Sequence, residues 1–396
     1  MKQGWQTKTI GELFETGSGG TPLKMHNEYY EGGDIPWLRS GEVCKKYITE
    51  TELFITQLGF ENSSAKYFPT DTIVVAMYGA TAGQVGILKF RTTTNQAVCG
   101  ILPNTDFIPE FVYYVLLNKQ KELVSQATGN AQPNISQIKI KNLPIPLLSL
   151  SEQQCIVALL DAEFAKIDAM KANAEKNLQN AKDLYNEVLK RELMPHKKWN
   201  SQTLDDVCTK IVDGTHNSPV NSSKGDYMYV TAKNIKTWGL DLSNITYVTS
   251  EIHREIYDRC NPEKGDVLYI KDGATTGIAI VNPISDEYSL LSSVALLKPK
   301  KDVISGAFLC YAMNSPMMYQ FVREQMDGAA ITRITLKKIK SFTISYPSLD
   351  EQNNIVARLD ALNEKCKTLQ ANYEKTLSLC DDLKQALLRK AFNGEI

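Results

Sequence analysis

No stretch of the 396 residues approaches the roughly 18 successive apolar residues that span a bilayer, and the opening MKQGWQTKTI lacks the apolar core of a signal peptide. A cytoplasmic chain without a membrane partner is therefore expected. Metal chemistry has little to work with either. The eight cysteines form no C-x-x-C pair, and no His/Cys cluster has zinc spacing, so free thiols and no metal are expected. The four histidines, at 26, 196, 216 and 253, make neither an H-E-x-x-H pair nor a triad-like set. The phosphate-loop spacing G-x-x-x-x-G-K-[ST] is missing, and Asn261-Pro262 runs into Glu263-Lys264 where an amino-methyltransferase would carry N-P-P-aromatic. No catalytic residues are assigned, and the chain is expected not to be an enzyme.

An excess of positive charge is also missing. The formal net charge is −1, and residues 1–150 hold 13 basic against 13 acidic side chains, residues 196–347 hold 18 against 16. A protein gripping nucleic acid by charge alone would be strongly basic, so any DNA affinity here must come from local clusters and partners.

What the chain does have is repetition. Gly129–Ala162 (GNAQPNISQIKIKNLPIPLLSLSEQQCIVALLDA) and Gly328–Ala361 (GAAITRITLKKIKSFTISYPSLDEQNNIVARLDA) share 17 of 34 positions at a shift of 199. At a shift of 194, Gly79, Ala80, Thr81 and Gly83 fall on Gly273, Ala274, Thr275 and Gly277, and Trp5 falls on Trp199. Solenoid periods are roughly 20 to 50 residues, so each copy here is a whole domain with an appendage. The copies diverge most over residues 20–71 and 214–266. One scaffold with two different inserts suggests two different targets.

Each copy opens on short strand signals punctuated by glycine. Ile73–Met77 and Val267–Ile270 are β-branched-rich runs ending at GATAG and GATTG, which read as buried strands followed by tight turns. Glu110–Ser125 and Ala307–Glu324 read as helical patches. LPIPLL (143–148) cannot lie in a central helix or strand, because proline has no amide donor. Ser151 with Gln154 looks like a capping box for the helix that follows, with Asp350 in the equivalent place of the second copy. Sevenfold spacing then runs through Leu160, Ile167, Ala174, Ala181 and Val188, with Phe164, Leu178 and Tyr185 alongside. Its second version is Leu359, Cys366, Tyr373, Cys380 and Leu387, flanked by Leu362, Leu369 and Leu383. Five heptads form a coiled-coil seam, a rod of roughly 60 Å at 1.5 Å per residue. Antiparallel pairing of the two rods buries both seams; separate packing of each helix on its own domain, or homodimerisation, is the competing arrangement.

The repeat, DIPWLRSGEV (34–43), MYGATAG (77–83), NQAV (95–98), the LPIPLLSLSEQQ junction and the terminal LLRKAFNGEI together resemble the specificity subunit of type I restriction-modification systems, over essentially the whole chain. The resemblance implies an α+β fold of two similar target recognition domains joined by two long antiparallel coiled-coil helices. The expected boundaries are 1–150 and 196–347 for the domains, 151–195 and 348–396 for the helices. It implies recognition of a bipartite duplex DNA target, each domain reading one half and the helices fixing the gap. It implies no cofactor in this chain: two methyltransferase subunits would bring S-adenosylmethionine, and restriction subunits ATP and magnesium. A non-catalytic coiled-coil adaptor that binds proteins is the alternative, and a stand-alone nuclease is the weakest reading.

Base reading calls for Arg or Lys toward guanine and Asn or Gln toward adenine, with hydroxyls and lysines on phosphate. The candidates are Thr21, Lys24, Arg39, Ser40, Tyr78, Thr81, Gln84, Asn95 and Gln96 in the first copy, and Thr215, His216, Lys233, Asn234, Lys271 and Thr275 in the second. Arg39 and Asn234 head the set for base-edge contact. Lys139 and Lys141, repeated as Lys338 and Lys340, precede each long helix and serve either as phosphate grips or as a solvated face.

Overall fold

The structure is a computed structural model that describes residues 5–125, 134–326 and 333–396. It divides into two compact units, residues 1–174 with 375–396, and residues 175–374. Parts of the repeated stretches, residues 129–133 and 328–332, lie outside the described residues.

In the first unit, strand Thr7–Thr9 pairs antiparallel with Pro144–Pro146. A two-stranded ribbon leaves the far edge unpaired, which is the place a strand with two prolines can occupy. The main sheet has five strands in the order Thr16–Ser18, Val98–Ile101, Ile73–Ala76, Val85–Leu88 and Tyr47–Ile48, antiparallel except for the last pair. Ile73–Ala76 is buried along its whole length, as its unalternating apolar run requires. Helix Pro109–Ser125 contributes Phe111, Val115 and Leu116 to the core beside Ile73, Val75, Ile87 and Ile101. The same core takes Val157 and Leu160 from the first long helix, Leu150–Glu192, and Leu388 and Phe392 from the second, Leu349–Asn393. A second sheet, ordered Phe54–Ile55, Ile35–Leu38, Thr92–Thr94 and Tyr67–Phe68, takes all its strands but Thr92–Thr94 from the divergent stretch and carries its own small core of Ile35, Trp37 and Ile55.

The second unit repeats this plan. Asn200–Thr203 pairs with Thr343–Tyr346. A four-stranded sheet runs Cys208–Asp213, Val294–Pro299, Val267–Ile270, Ala279–Val281, and two strands of the divergent stretch, Thr246–Val248 and Tyr227–Val230, form a three-stranded sheet with Ser289–Leu290. The expected helical patch over residues 307–324 is two helices, Gly306–Met313 and Pro316–Glu324. Proline at the first position of the second helix cannot continue the first, and the Ser315 hydroxyl accepts from Met318 N at 3.2 Å to cap the new start.

Both long helices are capped two residues before the expected positions. Glu152 N donates to Ser149 Oγ at 3.3 Å, and the Ser149 amide donates back to Glu152 Oε2 at 2.9 Å, a capping box one pair upstream of Ser151 and Gln154. In the second copy, Glu351 N donates to Ser348 Oγ at 3.4 Å, so Ser348 takes the place expected of Asp350.

The neighbouring glutamines do something else. Gln153 is fully buried; its Oε1 accepts from Ile108 N at 2.8 Å, and its Nε2 donates to Asp106 O at 2.8 Å and Leu148 O at 3.0 Å. Gln352 makes the same three bonds with Ser305 N, Val303 O and Pro347 O. Each long helix is thereby fastened to the loop ahead of its own domain's helix. A second bolt, from Tyr114 to Asp161 and from Tyr311 to Asp360 (2.5 Å), is also repeated.

Within each unit the helix segments run antiparallel. In the first, Asp168 pairs with Lys384 and Lys171 with Asp381 at 2.8 Å; in the second, Arg358 holds Glu192 at 2.5 Å. Leu160, Ile167, Ala174, Ala181, Leu359, Cys366 and Cys380 are buried as the heptads require. Leu369 and Leu383, expected beside the seam, are exposed instead, and Leu189 and Leu388 are buried next to the expected Val188 and Leu387. Straight helices drift from a strict seven-residue repeat, which moves the buried stripe by one position toward the ends. All eight cysteines are free. No helix among the described residues is long and apolar enough to cross a membrane.

Candidate nucleic-acid interface

A polar cleft in each unit is set by one strand of the smaller sheet and the loop that crosses its end. In the first unit, Trp37 and Leu38 lie parallel to Thr93 and Thr94. The chain then turns through a 3-10 segment, Ser40–Glu42, whose Glu42 Oε2 accepts from Arg39 N at 2.9 Å. The glycine loop passes over Thr94, with Gly20 N donating to Thr94 O at 2.9 Å. A Cβ at Gly19 would sit 1.9 Å from that oxygen, so only glycine allows the approach. The result is a cleft of 570 Å³ lined by Thr21, Lys24, Arg39, Asn95 and Gln96 together with Asn27, Tyr30, Glu31, Trp37 and Leu53. Five of the sequence-predicted residues therefore converge.

Their polar atoms are arranged. Thr21 Oγ1 donates to Gln96 Oε1, and Gln96 is exposed. Arg39 is half exposed, with Glu42 at 3.9 Å and Glu52 at 3.7 Å steadying its guanidinium from one side. Asn95 Oδ1 is inaccessible to solvent and has no hydrogen-bond partner among the described residues, so this oxygen is not at the cleft surface. The Trp37 indole donates to Gly20 O at 2.9 Å and forms the floor.

The second unit builds the equivalent cleft, 840 Å³, with different residues. Tyr229 and Val230 lie parallel to Ser289 and Leu290, Thr215 N donates to Leu290 O at 2.9 Å, and a Cβ at Gly214 would sit 1.9 Å from that oxygen. By this geometry Gly214 stands where Gly19 stands, Tyr229 where Trp37 does, Thr231 where Arg39 does and His216 where Thr21 does. Ser218, Asn221, Thr231, Lys233, Lys236 and Asn244 supply the polar lining. Of the predicted residues, Lys233 and Asn234 line it, and Lys233 is exposed.

Asn234 is committed elsewhere. It is buried, its Oδ1 accepts from Thr231 N at 3.0 Å and Thr231 Oγ1 at 3.2 Å, and its Nδ2 donates to Asp241 O at 3.1 Å. It is the counterpart of the capping Glu42, so it shapes the cleft. Lys271 is also buried, with its ammonium 3.4 Å from Asp213 and 3.1 Å from Asp272. Asp213 holds Arg259 at 2.9 Å and His216 at 3.3 Å as well, so this ion cluster underpins the glycine loop.

The other candidates lie off the clefts. Ser40 O accepts from Thr81 Oγ1 at 2.9 Å, joining the 3-10 segment to the GATAG turn. Gly79, Gly83, Gly273 and Gly277 all have positive φ, so GATAG and GATTG are tight turns, as read from the sequence. Tyr78 bridges to Asn134, Thr275 is exposed on the second turn, and Gln84 lines a separate 890 Å³ hollow with Tyr113 and Phe164. Lys139 and Lys141 fall on the short helix Gln137–Lys141. Lys338 and Lys340 fall on its repeat, where Lys338 Nζ donates to Gln325 O at 2.8 Å and Lys340 pairs with Asp205 at 3.1 Å. Burial pushes the thiols of Cys99, Cys208, Cys260 and Cys310 up to about 12, which leaves them poor nucleophiles.

Sequence reading missed Asn27, Tyr30 and Trp37 in the first cleft and Ser218, Asn221, Lys236 and Asn244 in the second. All fall in the two divergent stretches, so position carried the signal where residue type did not.

Two copies of one frame, each holding a polar cleft of different composition, define a tandem binding module. The profile of the type I restriction modification DNA specificity domain matches residues 2–180 and again 196–378. The chain belongs to this family, and its function is that of a sequence-specific DNA-binding specificity subunit of a type I restriction-modification complex. The MjaIX specificity subunit of Methanocaldococcus jannaschii is 24% identical over 99% of this chain and 93% of its own length. The EcoKI specificity subunit of Escherichia coli K12 is 23% identical over 100% and 90%. In fold, the chain is similar to one from a structural study of the assembly and conformational transition of a type I system, with TM-score 0.80, 19% identity and coverage of 100% and 99%. It is also similar to the HsdS subunit of Thermoanaerobacter tengcongensis, with TM-score 0.61, 18% identity and coverage of 100% and 98%. The adaptor reading is not favoured.

Proposed function

We propose that each cleft reads one half of the bipartite target and that the chain does no chemistry itself. Arg39, Gln96, Asn95, Lys24 and Thr21 meet one half-site; Lys233, Lys236, Asn221, Asn244 and Ser218 meet the other. Lys139, Lys141, Lys338 and Lys340 lie near each junction and touch phosphate, where contacts set position without reading sequence. Two adenine methyltransferase subunits carrying S-adenosylmethionine dock on this subunit, and restriction subunits using ATP and magnesium complete the enzyme in the cytoplasm. The observation that carries this reading is the pair of clefts at one place in a duplicated frame, lined by residues that do not correspond.

The unbroken helices, 43 and 45 residues long, set the number of unread bases between half-sites. Inserting two helical turns near Lys176 is expected to lengthen the gap in the recognised sequence and leave both half-sites as they were. An unchanged gap contradicts the assignment.

A further inference from the structure

We infer that Trp238 is a stacking wedge that enters the DNA duplex at the half-site taken by the second cleft; the inference rests on the DNA-reading role proposed for that cleft. Trp238 sits at the tip of a hairpin in which Ile235 and Lys236 pair with Leu240 and Gly239. The base of this hairpin is fixed. Ile235 is buried and Leu240 packs on the same apolar cluster, while Asp241 N donates to Asn234 O at 2.7 Å and Asn234 Nδ2 returns a bond to Asp241 O. The indole at the tip is nevertheless 64% exposed.

An indole is among the side chains that gain most from burial, so a rigid mount that keeps one in water points to a surface that will cover it. Lys236 beside it and Lys233 at the start of the turn line the cleft, which supplies positive charge for a phosphate backbone. Asp241, also in the lining, spends its carboxylate on Ser243 N and Oγ.

The first cleft shows the same habit with other residues. Leu23 and Met25, 59% and 82% exposed, flank its Lys24 in sequence, and Val220, 87% exposed, adjoins Asn221 of the second cleft. Single exposed apolar side chains are ordinary on any surface, but each of these four lies within two residues of a side chain that lines a cleft, Lys24, Asn221 or Lys236. Duplex DNA offers base faces to apolar side chains that part a base step, and among the four only the indole is flat enough to stack fully.

The test uses the full chain assembled with its methyltransferase partners, and duplexes bearing both half-sites, the first alone or the second alone. Of this chain's four tryptophans, Trp37 is buried and Trp5 and Trp199 are half-buried, so Trp238 is the most exposed of them, and the difference between wild-type and Trp238→Phe assemblies cancels the signal of the partners' tryptophans. The fall in emission when a duplex with the second half-site binds is expected to be larger in wild type than in Trp238→Phe, and the two proteins are expected to respond equally to the first half-site alone. Trp238→Ala is expected to lose roughly tenfold or more in affinity for the second half-site, the scale of one lost aromatic stack, and Trp238→Phe less. An identical fluorescence change in Trp238→Phe, or Trp238→Ala binding within about twofold of wild type, overturns the wedge. Weakened assembly with the methyltransferase at unchanged DNA affinity also overturns it and marks the tip as protein-facing. Failure of the wild-type assembly to prefer any half-site overturns the cleft assignment instead.

Discussion

Removing Gln153 tests how each long helix is joined to its domain. Its side chain satisfies one amide and two carbonyls at the meeting of the Asp106–Ile108 loop with the helix start, and none of it reaches solvent. A buried polar group left without its partner costs about 1–3 kcal/mol, and the carbonyls have second lone pairs, so Gln153→Leu is expected to cost roughly 3–5 kcal/mol. Gln153→Glu is the sharper perturbation. It keeps the acceptor for Ile108 N but sets a carboxylate oxygen against two carbonyls, so it is expected to destabilise at least as much despite its matching shape. Two-unit unfolding does not reduce to one equilibrium, which makes amide exchange around residues 104–112 the better assay. A loss of 3 kcal/mol corresponds to more than a hundredfold faster exchange at Ile108, with Ser305 in the second unit unaffected. Gln352→Leu is expected to give the mirror result. Unchanged protection of Ile108 in Gln153→Leu refutes the reasoning.

Three further outcomes follow from the geometry. Arg39→Ala is expected to relax the requirement at one base, a guanine, by about 1–3 kcal/mol of discrimination, while the other half-site stays unchanged when methylated sites are mapped; uniform weakening at all positions would make Arg39 a phosphate contact. Tyr311→Phe removes the 2.5 Å bond to Asp360 and is expected to cost about 1 kcal/mol, reduced from the usual value for a bond to a charged group because Asp360 is exposed; equal denaturant midpoints for the two proteins contradict this. Hydrogen bonds from the side chain and then the backbone of Thr203 hold the Asp206 carboxyl below its ordinary value of 3.8, and those from Thr9 do the same for Glu12. A lowered carboxyl stabilises above its ordinary pKa and loses that contribution as pH falls through the lowered one, so the melting difference between wild type and Thr203→Ala is expected to shrink below about pH 4.

The parts legible in the sequence were those written in periodicity. Burial at Leu160, Ile167, Ala174 and Ala181 followed from sevenfold spacing, and the glycines of GATAG and GATTG announced turns because only glycine takes positive φ cheaply. The cap was misplaced because Ser149 and Ser151 are both serines followed three residues later by an acid or amide; which one caps depends on where tertiary packing starts the helix. Gln153 and Gln352 were visible as a repeated Glu-Gln pair, but nothing local says that an amide will be buried against a loop 45 residues upstream. Arg39 could be singled out because an exposed arginine keeps its chemistry wherever it lands. Asn234 could not be judged, since its amide is spent on Thr231 and on Asp241 O, which only the folded hairpin brings near. Lys271 was misleading for the same reason: its partner Asp213 lies 58 residues away.

The central claim is that two separate clefts read two separate half-sites. Selecting duplexes from a random pool with the assembled subunit, before and after residues 196–347 are exchanged for the matching domain of another such protein, tests it most directly. The account predicts two specified blocks of bases parted by unspecified ones, with the exchange rewriting one block and sparing the other. A single continuous block, or loss of both blocks on exchange, would contradict it.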